Sequence, residues 1–386
     1  MICFSVDCIY LSIDRKTIMI LHLQNVHFAS DPVINKFETA FPNKNIAIRL
    51  QGFDNPVSVI KDGSINHFAN AREAAESIDF SIISIVVVYH LDFEKDLFIL
   101  KYIPQNIPIV WWMYGWDLYL RLWHKGYELY APQTLPFVSD GEKGIVLRAK
   151  LFLELKYKQY IDKKVQKRII GVIPCEKPDY NLACLVLGRS VTHVDIYGRS
   201  LLHGLPFSTG NDICIGHSAS LSGNHLYALD ILKKVDICDS NVFLPLSYSV
   251  QSESYKTAVV EKYKQHFGEK AQFLFDYQDV DTYRRGFLRY KVAIYPTWRQ
   301  EALGNIFICF QLGIKVFLSR HNPCLVFFLS QGLFVYALED IKSVEDLNPL
   351  TQEQKEKNLL IYKGIKEERD RVFPENLNRF FARYTE

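Results

Sequence analysis

The sequence is short of net charge, of metal-binding spacings and of long apolar runs. Lysine plus arginine (45) and aspartate plus glutamate (43) nearly cancel over 386 residues, leaving a formal charge of +2. A general nucleic-acid binder needs a basic surface to displace counterions, so no nucleic-acid partner is expected. The eight cysteines, Cys3, Cys8, Cys175, Cys184, Cys214, Cys238, Cys309 and Cys324, include no C-x-x-C pair, and most lie in apolar stretches. That pattern reads as reduced, buried thiols of a cytoplasmic protein and speaks against a disulfide framework or a zinc site. No window holds about 18 uninterrupted apolar residues, the length a membrane helix needs. The nearest, Ile306 to Leu338, is cut by Lys315 and by Arg320-His-Asn-Pro323. Met1 to Ser12 is apolar but lacks the basic start and small-residue cleavage site of a signal peptide. The first strand is expected near Met19, with residues 1–18 read as an extension upstream of the natural start. No short repeat is present, so a solenoid is not expected.

What is present is a hydrophobic share of 48%, enough for two domains with substantial cores. In the first half, strand candidates Ile18–Leu23, Asn45–Leu50, Ser81–Tyr89 and Ile107–Met113 alternate with helix candidates Pro32–Phe41, Ala69–Ser77 and Phe93–Tyr102. Arg168–Ile173 and His193–Tyr197 read as the last strands of this half. Such alternation implies parallel strands with crossover helices. Ser200–Asn211 carries two glycines and a proline and reads as an interdomain linker. Alternation then resumes with strands at Asp212–Ile215, Asn241–Ser247, Gln272–Phe275, Val292–Tyr295, Lys315–Leu318 and Leu333–Leu338. Helices are expected at Asn224–Lys234, Ser254–Phe267 and Asp281–Tyr290, and from Thr351 onward. The fold class is α/β: residues 1–200 and 201–386 form two Rossmann-like domains facing a cleft, with ligands at the strand C-termini and the tail helix able to pack back on the first domain.

The stretch from Tyr295 to Ser319 reads as strand, loop, helix, turn, strand. Its helix is expected to start near Glu301, because Leu303, Ile306, Phe307, Phe310 and Ile314 recur at helical spacing and Gly313 suits the C-terminal cap. A helix N-terminus favours an anion. Gly304 lets a phosphate approach the backbone, Asn305 adds a donor, Arg299 adds charge, and Glu301 can accept sugar hydroxyls. An ordinary loop with Glu301 stabilising the first turn fits the same residues. Gly216, Ser218, Ser220, Ser222 and Gly223 form a small-residue loop between a strand and a helix, again suited to phosphate. Ser222 or Asn224 as a helix cap is the plainer alternative, with His225 facing solvent. Tyr248, after the strand ending near Pro245, suits a base or phosphate, or else is a half-buried aromatic. Asp279-Val-Asp281 resembles a metal-binding D-x-D, but Asp281 before a helical run is better read as its cap.

In the first half, Gly115-Trp-Asp117-Leu-Tyr119 follows a strand and puts a carboxylate at its C-terminal edge. Asp117 is the first candidate for a base that deprotonates an acceptor hydroxyl, and His90, after the strand ending at Tyr89, is the second. Asp117 as a helix cap fits equally. Arg148 to Arg168 holds eight basic residues against Glu154 and Asp162. It suits an anionic membrane surface or, equally, a packed helix with a solvated basic face.

Taken together these residues resemble the bacterial TDP-N-acetylfucosamine:lipid II N-acetylfucosaminyltransferases of enterobacterial common antigen synthesis. The resemblance lies in Tyr89-His90 with Phe93, in Trp111 with Gly115-Trp-Asp-Leu-Tyr119, in Gly216-His-Ser218 with Ser222 and His225, in Pro245 with Tyr248, and in Arg299-Gln300, Gly304 and Gln311-x-Gly313. It implies a GT-B glycosyltransferase without metal or other cofactor. The implied donor is a TDP-linked acetamido-dideoxygalactose, and the acceptor a polyprenyl-diphosphate-linked saccharide at the inner face of the cell membrane. Trp112, His217 and Glu301 depart from the family pattern, which points to a capsule or O-antigen unit as product. Two rival readings share the architecture: a non-catalytic scaffold of a polysaccharide assembly complex, and a nucleotide-sugar epimerase.

Overall fold

The computed structural model describes residues 19–25, 31–50, 55–61, 63–138, 145–196, 202 and 204–384. The expected extension at residues 1–18 lies outside them. The first half runs β1 (Met19–Asn25), α1 (Asp31–Ala40), β2 (Asn45–Leu50), β3 (Val57–Lys61), β4 (Ser64–Phe68), α2 (Ala71–Glu76), β5 (Ile83–Tyr89), α3 (Phe93–Tyr102), β6 (Ile109–Trp112), α4 (Trp116–Trp123), α5 (Leu135–Val138), α6 (Ile145–Gln166), β7 (Ile169–Ile173), α7 (Lys177–Leu187) and β8 (Thr192–His193). These strands make an eight-stranded sheet of order β4-β3-β2-β1-β5-β6-β7-β8. Its strands pair in parallel except where β3 joins β2 and β4. That antiparallel hairpin was not expected, and β4 shows why: its residues Ser64–Asn66 are exposed, so no apolar run marks it.

The second half runs β9 (Asp212–Ile215), α8 (His225–Leu232), β10 (Val242–Pro245), α9 (Glu253–Phe267), β11 (Ala271–Leu274), α10 (Val280–Gly286), β12 (Tyr290–Tyr295), α11 (Leu303–Leu312), β13 (Lys315–Leu318), α12 (Pro323–Ser330), β14 (Val335–Ala337) and α13 (Gln352–Phe381). Its sheet has the order β11-β10-β9-β12-β13-β14 and pairs in parallel throughout. This is the doubly wound arrangement whose strand order reverses between β9 and β12, the place where such sheets bind ligands. The first sheet reverses in the same way between β1 and β5.

Three expectations change here. The helix expected over Asp281–Tyr290 ends at Gly286, and Tyr290 already opens β12. Its capping acid is Asp279, which accepts the N–H groups of Asp281 and Thr282. The expected linker is packed in its described part: Ser208 is buried, takes Leu312 O with its N–H, and reaches Leu288 O and Tyr290 O with its hydroxyl. Ser200, Leu201 and His203 lie outside the described residues.

Helix α13 touches both sheets. Its start holds the second, where Asn358 bonds the backbone of Phe334. Its end holds the first: Arg369 pairs with buried Glu176 at 2.8 Å, Asn376 bonds Asp195 O, and Phe380 lies against Gly171.

Candidate active site

The C-terminal ends of β5, β6, β9, β10 and β12 converge, and the backbone there is held in unusual shapes. Six described non-glycine residues have positive φ, and four of them are His90, Asn224, Ser249 and Ala302 beside these strand ends. Such conformations cost about 1–3 kcal/mol each and persist only where the surroundings enforce them.

On the second sheet, β9 leads into the loop 216–223. Gly216 has φ +71°, and a Cβ there would sit 2.5 Å from His225 Nε2. A Cβ at Gly223 would meet the same ring. The two glycines therefore roof a fully buried imidazole, which corrects the expectation that His225 faces solvent. Burial lowers the His225 pKa to about 4, so the ring is neutral; its Nε2 has no partner. Ser218, Ser220 and Ser222 are buried and bonded among themselves: Ser218 Oγ donates to Ser220 Oγ (3.0 Å), and Ser220 and Ser222 donate to Glu301 at 3.3 and 2.8 Å. Asn224 heads α8 without capping it. Instead it reaches the first half, accepting from Ala131 N (2.9 Å) and donating to Leu129 O (3.1 Å). Tyr248 is 48% exposed, sets its ring edge-on to His217, and returns Ala219 N to its own carbonyl.

Helix α11 begins at Leu303, not at Glu301. Ala302 takes a left-handed turn (φ 61°) and leaves Glu301 in the loop. The side chain of Glu301 is 9% exposed and is occupied within the protein: Arg299 pairs with it at 2.7 Å, His217 Nε2 lies 3.6 Å away, and the two serines donate to it. Burial pushes its pKa up, and Arg299, His217 and the serines more than offset this, leaving it below the ordinary carboxylate value. The expectation that Glu301 presents free oxygens to sugar hydroxyls is therefore replaced by a carboxylate that organises Arg299 and the serine loop. The helix tip is open: Gly304 is exposed, with free space where its Cβ would be. Asn305 is half-buried and donates to Tyr283 Oη at 2.8 Å.

On the first sheet, Asp117 lies in the first turn of α4 and is buried. Its Oδ2 accepts from Trp111 Nε1 (2.6 Å) and Leu91 N (3.1 Å), and Oδ1 accepts from Tyr114 N (3.1 Å). His90 Nδ1 is 3.8 Å from Oδ1, and the His90 side chain is 26% exposed. Of the pair, the imidazole meets solvent and the carboxylate stands behind it.

The two halves meet at this point. Gly115 has φ +99°, and a Cβ there would be 2.9 Å from Gln300 Oε1. The Arg299 guanidinium lies 5.3 Å from the Trp116 ring. Arg299 Nε, Gln300 Oε1 and His217 Nδ1 are buried without partners. Sequence reading brought forward Arg299 but not Gln300, His217 or Trp116 as site residues, although all three stand inside the motifs it quoted. Among the described residues no His, Cys, Asp and Glu cluster suits a metal ion.

Residues 207–357, from just before β9 into α13, match the model of the 4-alpha-L-fucosyltransferases, glycosyl transferase group 56. The protein is a glycosyltransferase of the GT-B fold. Similar solved structures include an α,α-trehalose-phosphate synthase (UDP-forming) from Burkholderia vietnamiensis, at TM-score 0.58 and 7% identity over 96% of this chain and 99% of that one. A glycosyltransferase from Rickettsia africae superposes at TM-score 0.54 and 12% identity over 94% and 99% of the two chains. At these identities the likeness speaks for the fold alone. No curated protein sequence matches the chain. Among the described residues no helix of the glycosyltransferase is long and apolar enough to cross a membrane.

Proposed function

We propose that the glycosyltransferase moves an acetamido-dideoxyhexose such as N-acetylfucosamine from a TDP-sugar to a polyprenyl-diphosphate-linked saccharide of a surface polysaccharide. Residues 1–200 serve as the acceptor domain and 201–386 as the donor domain. The observation that carries this reading is the contact of Gly115–Trp116 with Arg299–Gln300, which joins the turn leading to Asp117 to the loop that leads into α11.

The donor diphosphate lies at that tip, against the backbone at Gly304, with Arg299 as its cation and Tyr248 beside the nucleoside. Glu301 holds Arg299, Ser220 and Ser222 in place, and Gly216 keeps His225 packed beneath the loop. Asn305 steadies the helix start through Tyr283. His90 takes the proton of the acceptor hydroxyl as that oxygen bonds to the anomeric carbon, and the bond from that carbon to the diphosphate breaks. Asp117 orients the imidazole and stabilises its charged form. The order of the two candidates is thus the reverse of the order read from sequence, because both Asp117 oxygens are occupied by donors. The fold's trehalose-phosphate synthase neighbour is named UDP-forming, which supports a nucleoside diphosphate as the departing group.

Membrane attachment is assigned to α6, whose exposed Leu153, Tyr157 and Tyr160 stand among the exposed Lys156, Lys163 and Lys164. This combination suits an anionic headgroup layer at the inner face of the cell membrane. Calorimetry with TDP tests the donor site: wild type binds, and Arg299→Ala loses at least tenfold in affinity. A folded wild-type protein that does not bind TDP sinks the reading and favours the scaffold.

A further inference from the structure

A pocket of about 150 Å³ opens between α3, α4 and α6, with His90 and Trp116 in its wall. That is well below the several hundred Å³ of a site for a nucleotide-sized ligand, and it suits a single sugar ring. We propose that this pocket is the subsite for the ring of the acceptor saccharide that bears the attacking hydroxyl, with Asp96 as its specificity-determining hydrogen-bond partner. The inference rests on the function proposed above and names where the acceptor lies.

Asp96 is 2% exposed and lines the pocket, and its Oδ1 has no hydrogen-bond partner. Its other oxygen lies 3.4 Å from the Arg121 guanidinium, which is itself anchored by Asp162 at 2.7 Å. A buried polar atom without a partner costs about 1–3 kcal/mol, a cost that a hydroxyl entering the pocket would remove. Burial holds the Asp96 carboxyl well above the usual carboxylate range.

The charge of the wall selects the ligand class. Of the acids in the wall, Asp92 pairs with Lys95 at 2.5 Å, Asp162 pairs with Arg121 at 2.7 Å, and both Asp117 oxygens are occupied by donors, while Arg121 and Lys158 are the permanent cations. Lys158 is already paired with Glu154 at 2.6 Å. Such a wall offers a phosphate no unpaired permanent cation and suits a neutral ligand bearing hydroxyls, with the rings of Trp116 and Phe93 as apolar surface. Trp116 also meets Arg299 of the other half, so a ring seated here lies next to the donor site and within reach of His90. A wider trough of about 320 Å³ adjoins the pocket through Arg121, His124, Gln159 and Asp162, and leads out along α6. It gives the rest of the acceptor a path toward the face assigned to the membrane.

The test uses the full chain and two variants. Asp96→Asn removes the carboxylate. Gln159→Trp fills the pocket mouth from a half-buried position outside the Asp96–Arg121 cluster, so it keeps the test open if Asp96→Asn does not fold. Saturation-transfer NMR with a panel of methyl hexopyranosides and methyl N-acetylhexosaminides reads saccharide binding, and a parallel titration reads TDP. Wild type is expected to bind at least one saccharide, with binding at least tenfold weaker in each folded variant and TDP affinity within twofold of wild type. Equal saccharide binding in wild type and variants, or none in wild type, overturns the inference. Loss of TDP binding in wild type would instead overturn the donor-site reading and leave the saccharide result standing.

Discussion

His90 pays for its position with a left-handed backbone (φ 53°), pinned by Lys95 Nζ, which bonds its carbonyl at 2.9 Å. Asparagine tolerates that backbone but cannot accept a proton. His90→Asn should therefore fold normally and lower kcat by roughly 10²- to 10⁴-fold, the usual range for a lost general base. Steady-state kinetics with an unfolding curve checks this; unchanged kcat removes His90 from the mechanism. A second residue makes a pH prediction. His22 is fully buried, with Tyr89 Oη at 2.9 Å and Asn45 Oδ1 at 3.0 Å, and burial lowers its pKa from 6.5 to about 4. Its folded form resists protonation, so the stability it supplies is complete above pH 6.5 and is lost as pH falls toward 4. Between pH 7 and 4.5 wild type should lose roughly 2–3 kcal/mol relative to His22→Gln, measured by urea unfolding of both. Asp179, raised to about 7 by burial, acts in the opposite sense, but it is common to both chains and cancels. At this scale the sequence brought candidate residues forward and misjudged several orientations. His225 was read as solvent-facing because it opens a helix; the two glycines that make room for it, Gly216 and Gly223, were the signal. Asp96 left no signal, since a carboxylate on the first turns of a helix is ordinary.

Among the elements, those buried on both faces were legible. β2, β9 and α3 fall where apolar runs and helical periodicity place them, because parallel strands and their crossover helices bury nearly every residue. The β3–β4 hairpin was not legible, being short and partly exposed. The start of α11 was misplaced by two residues because Ala302, an ordinary helix former, takes the left-handed conformation that ends the loop. The close contact of the β6–α4 turn with the loop after β12 could not be read from either segment alone. Gly115 is its key: with φ +99° and Gln300 Oε1 where its Cβ would stand, substitution both strains the backbone and wedges the halves apart. Gly115→Ala should lower unfolding free energy by roughly 1–3 kcal/mol and transfer by at least tenfold. Denaturant unfolding and kinetics check both, and a variant indistinguishable from wild type means that the contact is dispensable.

The whole molecule follows from two doubly wound sheets whose strand C-termini face one another. The α13 helix ties them from behind, and Asn224, Gly115 and Arg299 tie them in front. The two-domain α/β plan was legible from alternation alone, and the GT-B architecture followed from the resemblance. Where the tail helix ends was not legible, because Phe380 and Phe381 find their places only in the assembled first sheet. In the proposed function, the cleft of this assembly joins a nucleotide-linked sugar to a saccharide, with charge held by Arg299 and the tip of α11. Incubation of the protein with TDP-N-acetylfucosamine and membrane-extracted polyprenyl-diphosphate saccharides, read by mass spectrometry, tests it most directly. The predicted result is a lipid-linked product heavier by one sugar, with TDP released, and little of either with Arg299→Ala. An isomerised TDP-sugar formed without acceptor, or no change in either substrate, would contradict it.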